Sequence, residues 1–135
     1  AALPADKLSP AQLRKWREAQ NSLAIGSMTW AERLKAGWHP ERSDETEKAA
    51  LLRLCALYLM HKTPEARGDA VGKFHLGNGA TLHQINWGAD LSKKGLQQSG
   101  GIMVNYLYEL GKVEEQHEAF SNKTVSYARA VEKLV

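Results

Sequence analysis

Between Ala49 and Met60 the chain carries one charged residue, Arg53, in an otherwise apolar run. A helix built from this stretch has almost no polar face, and helices of that kind are usually buried. The rest of the chain must therefore cover it from several directions, which a small three-helix unit does poorly. The helix has a clear start: Ser43 is its expected N-cap, and Asp44, Glu45 and Glu47 fill its first turn, where the helix dipole favours acids. Thr63-Pro64 ends it.

Two shorter helices precede it. Ser9-Pro10-Ala11-Gln12 combines an N-cap serine, a proline at the first helical position and a glutamine three residues on. That helix is expected to run to about Ala24, with Gly26 as its left-handed stop. Thr29 with Glu32 repeats the capping pattern, and Gly37 closes a second short helix.

Composition excludes several classes. Hydrophobic residues make up 43% of the 135 positions, with four Trp and four Tyr, which is not the profile of a disordered chain. A net charge of +3 suits an anionic small ligand as well as nucleic acid, so by itself it decides little. No five-residue run of Lys and Arg marks a nucleic-acid footprint. No stretch reaches the roughly 18 apolar residues that span a bilayer. Cys55, the one cysteine, excludes an internal disulfide. The first residues lack a basic region followed by an apolar run, so no signal peptide is expected. The last residues, Glu132-Lys133-Leu134-Val135, are not the Ser-Lys-Leu peroxisomal address.

Past Pro64 the pattern changes. Glu65–Gly72 reads as a loop. Lys73–Leu76, Gly77-Asn78-Gly79 and Ala80–Trp87 then read as strand, turn and strand, because Asn-Gly is a strong hairpin signal. Ala80 and Leu82 fall on one face but Ile85 and Trp87 on the other, so a bulge near His83–Gln84 is expected. Ser92–Gln98 suits a short helix. Ile102–Tyr108 suits a strand, with Ile102, Val104, Tyr106 and Tyr108 on one face and Met103, Asn105 and Leu107 on the other. Lys112–Phe120 fits either state, and Ser126 is the expected cap of a last helix to Leu134. The fold class is mixed α/β: a helical segment over 1–62, packing on a portion with strands over 63–135.

The five histidines (His39, His61, His75, His83 and His117) make no zinc pattern, since neither HExxH nor CxxC is present. His75 stands between Phe74 and Leu76, beside the Gly-Asn-Gly segment, and histidine is a residue type that can give or take a proton at pH 7. On position alone, a hydrogen-bonded structural histidine is the simpler reading. Tyr106 and Tyr108 read first as core aromatics, and Asn78, Asn86 and Asn105 as turn or buried polar residues. Lys93-Lys94 reads as solvated surface. Ser99-Gly100-Gly101 lacks the order of a nucleophile elbow.

The combined pattern is more specific than any of these. Phe74-His75-Leu76, one residue, then Asn78-Gly79-Ala80 resembles the F-H-L-x-N-G-A segment of malonyl-CoA decarboxylases. The resemblance continues through Ile85-Asn86-Trp87, Ala89-Asp90, Gly95-Leu96, Gln98-Ser99 and Gly101-Ile102-Met103-Val104-Asn105-Tyr106 to Tyr108. Upstream, Leu51-Leu52-Arg53-Leu54-Cys55-Ala56 and Tyr58-Leu59 are similar to the family's preceding helix. His117-Glu118-Ala119 fits as well. The match covers about residues 51–120.

This resemblance implies a sheet similar to that of acyl-CoA-dependent N-acetyltransferases, here an incomplete domain. It implies conversion of malonyl-CoA to acetyl-CoA and carbon dioxide, a reaction in which the thioester is its own electron sink, so no cofactor is expected. It puts the family's catalytic histidine at His75 and makes Tyr108 an active-site neighbour, with Asn78 and Asn105 as substrate-binding candidates. In the family a glycine-rich coenzyme A loop and a serine in a Ser-Pro-Ile-Pro-Gly segment come earlier. Here Ser9-Pro10 is followed by Ala11-Gln12-Leu13, which suits capping instead. The chain therefore resembles the family's last third, and the missing N-terminal part of the same enzyme is its expected partner. The resemblance further implies a homo-oligomer in the bacterial cytoplasm or the mitochondrion, with no nucleic-acid or membrane partner. Two alternatives remain open: an acyltransferase using the same fold, and a non-catalytic interaction module.

Overall fold

The structure is a computed structural model, and it describes residues 8–23, 30–61, 63–64 and 69–135. Along the chain come α1 (Pro10–Leu23), α2 (Trp30–Lys35), a 3-10 turn (Pro40–Arg42), α3 (Glu45–His61), α4 (Ala70–Gly77), β1 (Thr81–Asn86), α5 (Lys93–Ser99) and β2 (Met103–Leu107). A second 3-10 turn (Leu110–Lys112), α6 (Val113–Ser121) and α7 (Arg129–Glu132) complete it. The described residues thus form a mixed α/β fold, rich in helix, around a small two-stranded sheet.

The apolar helix α3 is the axis of the fold, and three sets of residues cover it. Leu57, fully buried, packs with Leu8 and Trp16 of the N-terminal segment. Ala50 and Leu51 pack with Ala19 and Trp38, and Trp87 joins that cluster with its ring 5.8 Å from Trp38 in edge-to-face contact. Ala56, Leu59 and Met60 face α4 and the sheet, where Leu76, Leu82, Ile85, Val125 and Val131 complete the largest cluster. Glu47 ties α2 and the following loop to the start of α3. Arg33 Nη2 lies 2.9 Å from its Oε2, and Trp38 Nε1 donates to its Oε1 at 2.8 Å.

The N-terminal capping pattern forms as expected. Ser9 Oγ accepts from Gln12 N, and Gln12 Oε1 accepts from Ser9 N, both at 3.2 Å. Ala24, Gly26 and Thr29, named for the end of this helix and the start of the next, lie outside the described residues. Gly37 has a φ of +93°, suited to its place just beyond α2. The cap of α3 falls one residue later than expected: Asp44 Oδ1 accepts from Glu47 N at 2.7 Å, while the Ser43 hydroxyl turns to the Glu47 carboxylate. Asp44 reaches the third amide beyond it, the geometry a cap requires.

The expected strand at Lys73–Leu76 is a helix, and so is the end of the expected loop at Glu65–Gly72. Asp69 caps α4, its Oδ2 accepting from Gly72 N at 2.7 Å. The Gly77-Asn78-Gly79 segment then acts as a helix stop, not a hairpin turn. Gly79 N donates to Leu76 O and Ala80 N to His75 O, with Gly79 at a φ of +92°. These paired bonds satisfy carbonyls that the helix end leaves unmatched. A Cβ on Gly79 would lie 2.4 Å from Val113 O, so the stop also depends on the close approach of α6.

β1 and β2 pair antiparallel, with Thr81 opposite Leu107 and Asn86 opposite Met103. The register shifts between Leu82 and Gln84, the bulge the side-chain phase required. Leu82, Ile85, Val104 and Tyr106 face the core, whereas Met103, Asn105 and Leu107 face outward. The other edge of β1 bridges Tyr127 in parallel: Leu82 N donates to Ser126 O and Ala128 N to Leu82 O. Ser126 is therefore committed to this bridge, and the last helix starts after Ala128 instead. Lys112–Phe120 resolves as helix, α6. Among the described residues, no helix is long and apolar enough to cross a membrane.

Candidate active site

His75 occupies the last turn of α4, directly over the inner face of β2. Strand alternation puts Tyr106 and Tyr108 on one side of the chain, and both meet the His75 ring. The Tyr106 ring lies nearly parallel to the imidazole, with centroids 4.7 Å apart and planes 20° apart. Tyr108 approaches edge-on, and its hydroxyl is 2.7 Å from His75 Nδ1. Phe74 packs edge-to-face on the remaining side at 5.2 Å. The ring is half-buried, and Nδ1 is its nitrogen with a protein partner among the described residues.

This arrangement directs Nε2. A histidine with one ring nitrogen engaged presents the other to an incoming group, and the hydrogen bond at the first selects what the second can do. When the phenol donates to Nδ1, the neutral ring carries its one proton on Nε2; when Nδ1 donates to the phenol oxygen, the imidazolium keeps a second proton on Nε2, which it can give up to return to the neutral ring. The surroundings are mainly apolar on the solvent side: Phe74 is 65% exposed and Val71, one helical turn earlier, 60%. Tyr108 is itself 42% exposed. The described residues thus place His75 at an exposed, largely apolar face.

The other two candidates lie apart from this pair. Asn78 follows α4, and its Nδ2 donates to Phe74 O at 2.6 Å, reinforcing the helix end. Asn105 is on the outer face of β2, paired with Asn86 at 2.5 Å across the strands, on the opposite side of the sheet from Tyr106. An open groove of about 560 Å³ involves Thr81, His83, Leu107, Glu109, Lys112 and Tyr127; His75 does not line it.

Reading the residues alone missed what holds α4 in place. His117 Nδ1 is 2.5 Å from Gly77 O, so α6 braces the turn that carries His75. Asp69 lies inside the expected loop at Glu65–Gly72, yet aspartate is a residue type that caps helices, and here it does. The stacking of Tyr106 on His75 had a partial signal in the shared strand face of Tyr106 and Tyr108.

Comparison with known proteins gives this geometry its setting. The family described as malonyl-CoA decarboxylase C-terminal domain matches residues 7–135. The mitochondrial malonyl-CoA decarboxylase of Mus musculus is 48% identical over 73 residues, covering 52% of this chain and 14% of that protein. The corresponding protein of Anser anser anser is 45% identical over a stretch of the same length. The crystal structure of malonyl-CoA decarboxylase from Cupriavidus metallidurans superposes with a TM-score of 0.68 at 32% identity, over 96% of this chain and 32% of that one. The enzyme from Rhodopseudomonas palustris gives 0.63 at 33% identity, over 90% of this chain and 30% of that one. The chain therefore spans about a third of the length of these solved relatives. The profile match over nearly the whole chain, together with the shared fold, places this chain in the malonyl-CoA decarboxylase C-terminal domain family.

Proposed function

We propose that this chain is the C-terminal part of an enzyme that converts malonyl-CoA to acetyl-CoA and carbon dioxide, with His75 as the proton donor. The observation that carries the reading is the 2.7 Å contact between His75 Nδ1 and the Tyr108 hydroxyl, in a chain of this family. Breaking the bond between the carboxylate carbon and the methylene carbon releases carbon dioxide and leaves its electron pair on the thioester as an enolate. Donors fixed near the thioester oxygen stabilise that charge. The enolate carbon must then take a proton, which Nε2 of His75 supplies, and Tyr108 holds the ring in the donating orientation.

The apolar wall of Val71 and Phe74 suits the same chemistry, because a carboxylate leaving water for a less polar site is closer to losing carbon dioxide. Asn78 lies three residues beyond His75 at the same helix end, with its Oδ1 left to orient the acyl group. Asn105, on the opposite sheet face, is left out of this set. The upstream part of the enzyme supplies the opposite wall, the coenzyme A loop and a partner serine. The segment over 1–62 packs on the catalytic portion over 63–135, and the compartment is the bacterial cytoplasm or the mitochondrion.

The full-length protein, incubated with malonyl-CoA, is expected to release carbon dioxide and acetyl-CoA in equal amounts. Transfer of the acyl group to an added amine without release of carbon dioxide would assign it to acyl transfer instead. Failure to bind coenzyme A thioesters would leave it a non-catalytic module.

A further inference from the structure

Tyr106 has no part in the reaction as written above, yet its ring is the one stacked on the His75 imidazole, at the shortest centroid distance of the three aromatic neighbours. One hydrogen bond at Nδ1 fixes a point on the ring but leaves rotation about the line to the Tyr108 oxygen. A ring stacked on the imidazole at 4.7 Å removes that rotation.

Tyr106 is itself held from below. Its ring packs against the cluster of Ala56, Leu59, Leu76 and Leu82. At its far end the hydroxyl reaches the first turn of α4. A Cβ on Gly72 would stand 3.1 Å from the Tyr106 oxygen and 2.9 Å from Cγ2 of the fully buried Thr63. Position 72 thus lacks a side chain where the tyrosine needs room. Burial first, then the nearby Asp69 charge, push the Tyr106 phenol up to about 12, which keeps it neutral across the working pH range. Helix α4 seats Tyr106 with the glycine at its start and presents His75 at its end.

We propose that Tyr106 is the positioning residue of this site: its ring sets the plane of the His75 imidazole and so aims Nε2 at the reacting carbon. The proposal rests on the reading of His75 as proton donor. Positioning of this kind affects the chemical step more than substrate binding, so it shows in kcat with KM little changed.

The test compares Tyr106→Phe and Tyr106→Leu in the full-length enzyme, alone and combined with His75→Gln. Phenylalanine keeps the stacked ring and should leave kcat within about twofold, whereas leucine should lower it roughly three- to tenfold, the size of one lost aromatic contact. KM for malonyl-CoA should stay within about twofold in both. The leucine effect should vanish in the His75→Gln background, because two changes acting through one residue do not add. Should Tyr106→Leu fail to fold, Tyr106→Met makes the same comparison with an unbranched side chain that adapts to the space. Equal kcat for the leucine or methionine and phenylalanine variants would overturn the positioning role. So would an equal loss in both His75 backgrounds. If His75→Gln alone retains full turnover, the error lies in the assignment of His75.

Discussion

Cys55 and His75 show how differently two reactive side chains can be held within one fold. The Cys55 thiol is pushed up to about 12, first by burial and then by the nearby Asp69 charge. The thiolate is the reactive form of cysteine, and raising the value from 9.0 to about 12 lowers its population about a thousandfold at neutral pH. The folded protein at pH 8 should therefore resist alkylation by iodoacetamide, and Cys55 should label readily once denatured. Fast labelling of the folded protein would contradict this packing. His75 is instead half-open to solvent and bounded by aromatic rings on three sides. Its position in the chain alone favoured a structural histidine, because the residues that distinguish it lie far away: Tyr108 is 33 positions on. Only the pattern spread across residues 51–120 linked them in the sequence.

At the scale of elements, the sequence was most legible where one local signal acted without competition. The capping box at Ser9 and Gln12, the short helix after Ser92, the strand from Met103 to Leu107 and the bulge after Leu82 all formed where expected. It was least legible at α4, where two readings of Asn78-Gly79 compete. The pair can turn a hairpin or stop a helix, and both uses exploit glycine at positive φ. Tertiary contacts decide for the helix: His117 and Val113 of α6 close on Gly77 and Gly79, and Leu76 is buried in the main cluster. The alternation of Phe74, His75 and Leu76 imitated a strand, but Phe74 proves exposed. Because α4 is only eight residues long, its cap matters. Asp69→Ala should destabilise the protein by about 0.5–2 kcal/mol, and Asp69→Ser should recover most of that, as measured by urea unfolding. An unchanged midpoint for Asp69→Ala would remove the cap from the account.

At the scale of the whole molecule, the apolar helix α3 organises everything else. Its three covering clusters come from the N-terminal helices, from Trp38 with Trp87, and from the sheet with α4, so residues before and after it share one buried axis. That axis holds the platform of β1, β2 and α4 on which His75 rests. The solved relatives are about three times as long as this chain. The most direct measurement is carbon dioxide release from malonyl-CoA by the full-length enzyme and its His75→Gln variant, with folding of both checked by circular dichroism. If Nε2 of His75 protonates the enolate, the variant folds and its turnover falls roughly 10²–10⁴-fold, the usual contribution of a general acid. Turnover within about threefold of the parent would contradict that assignment.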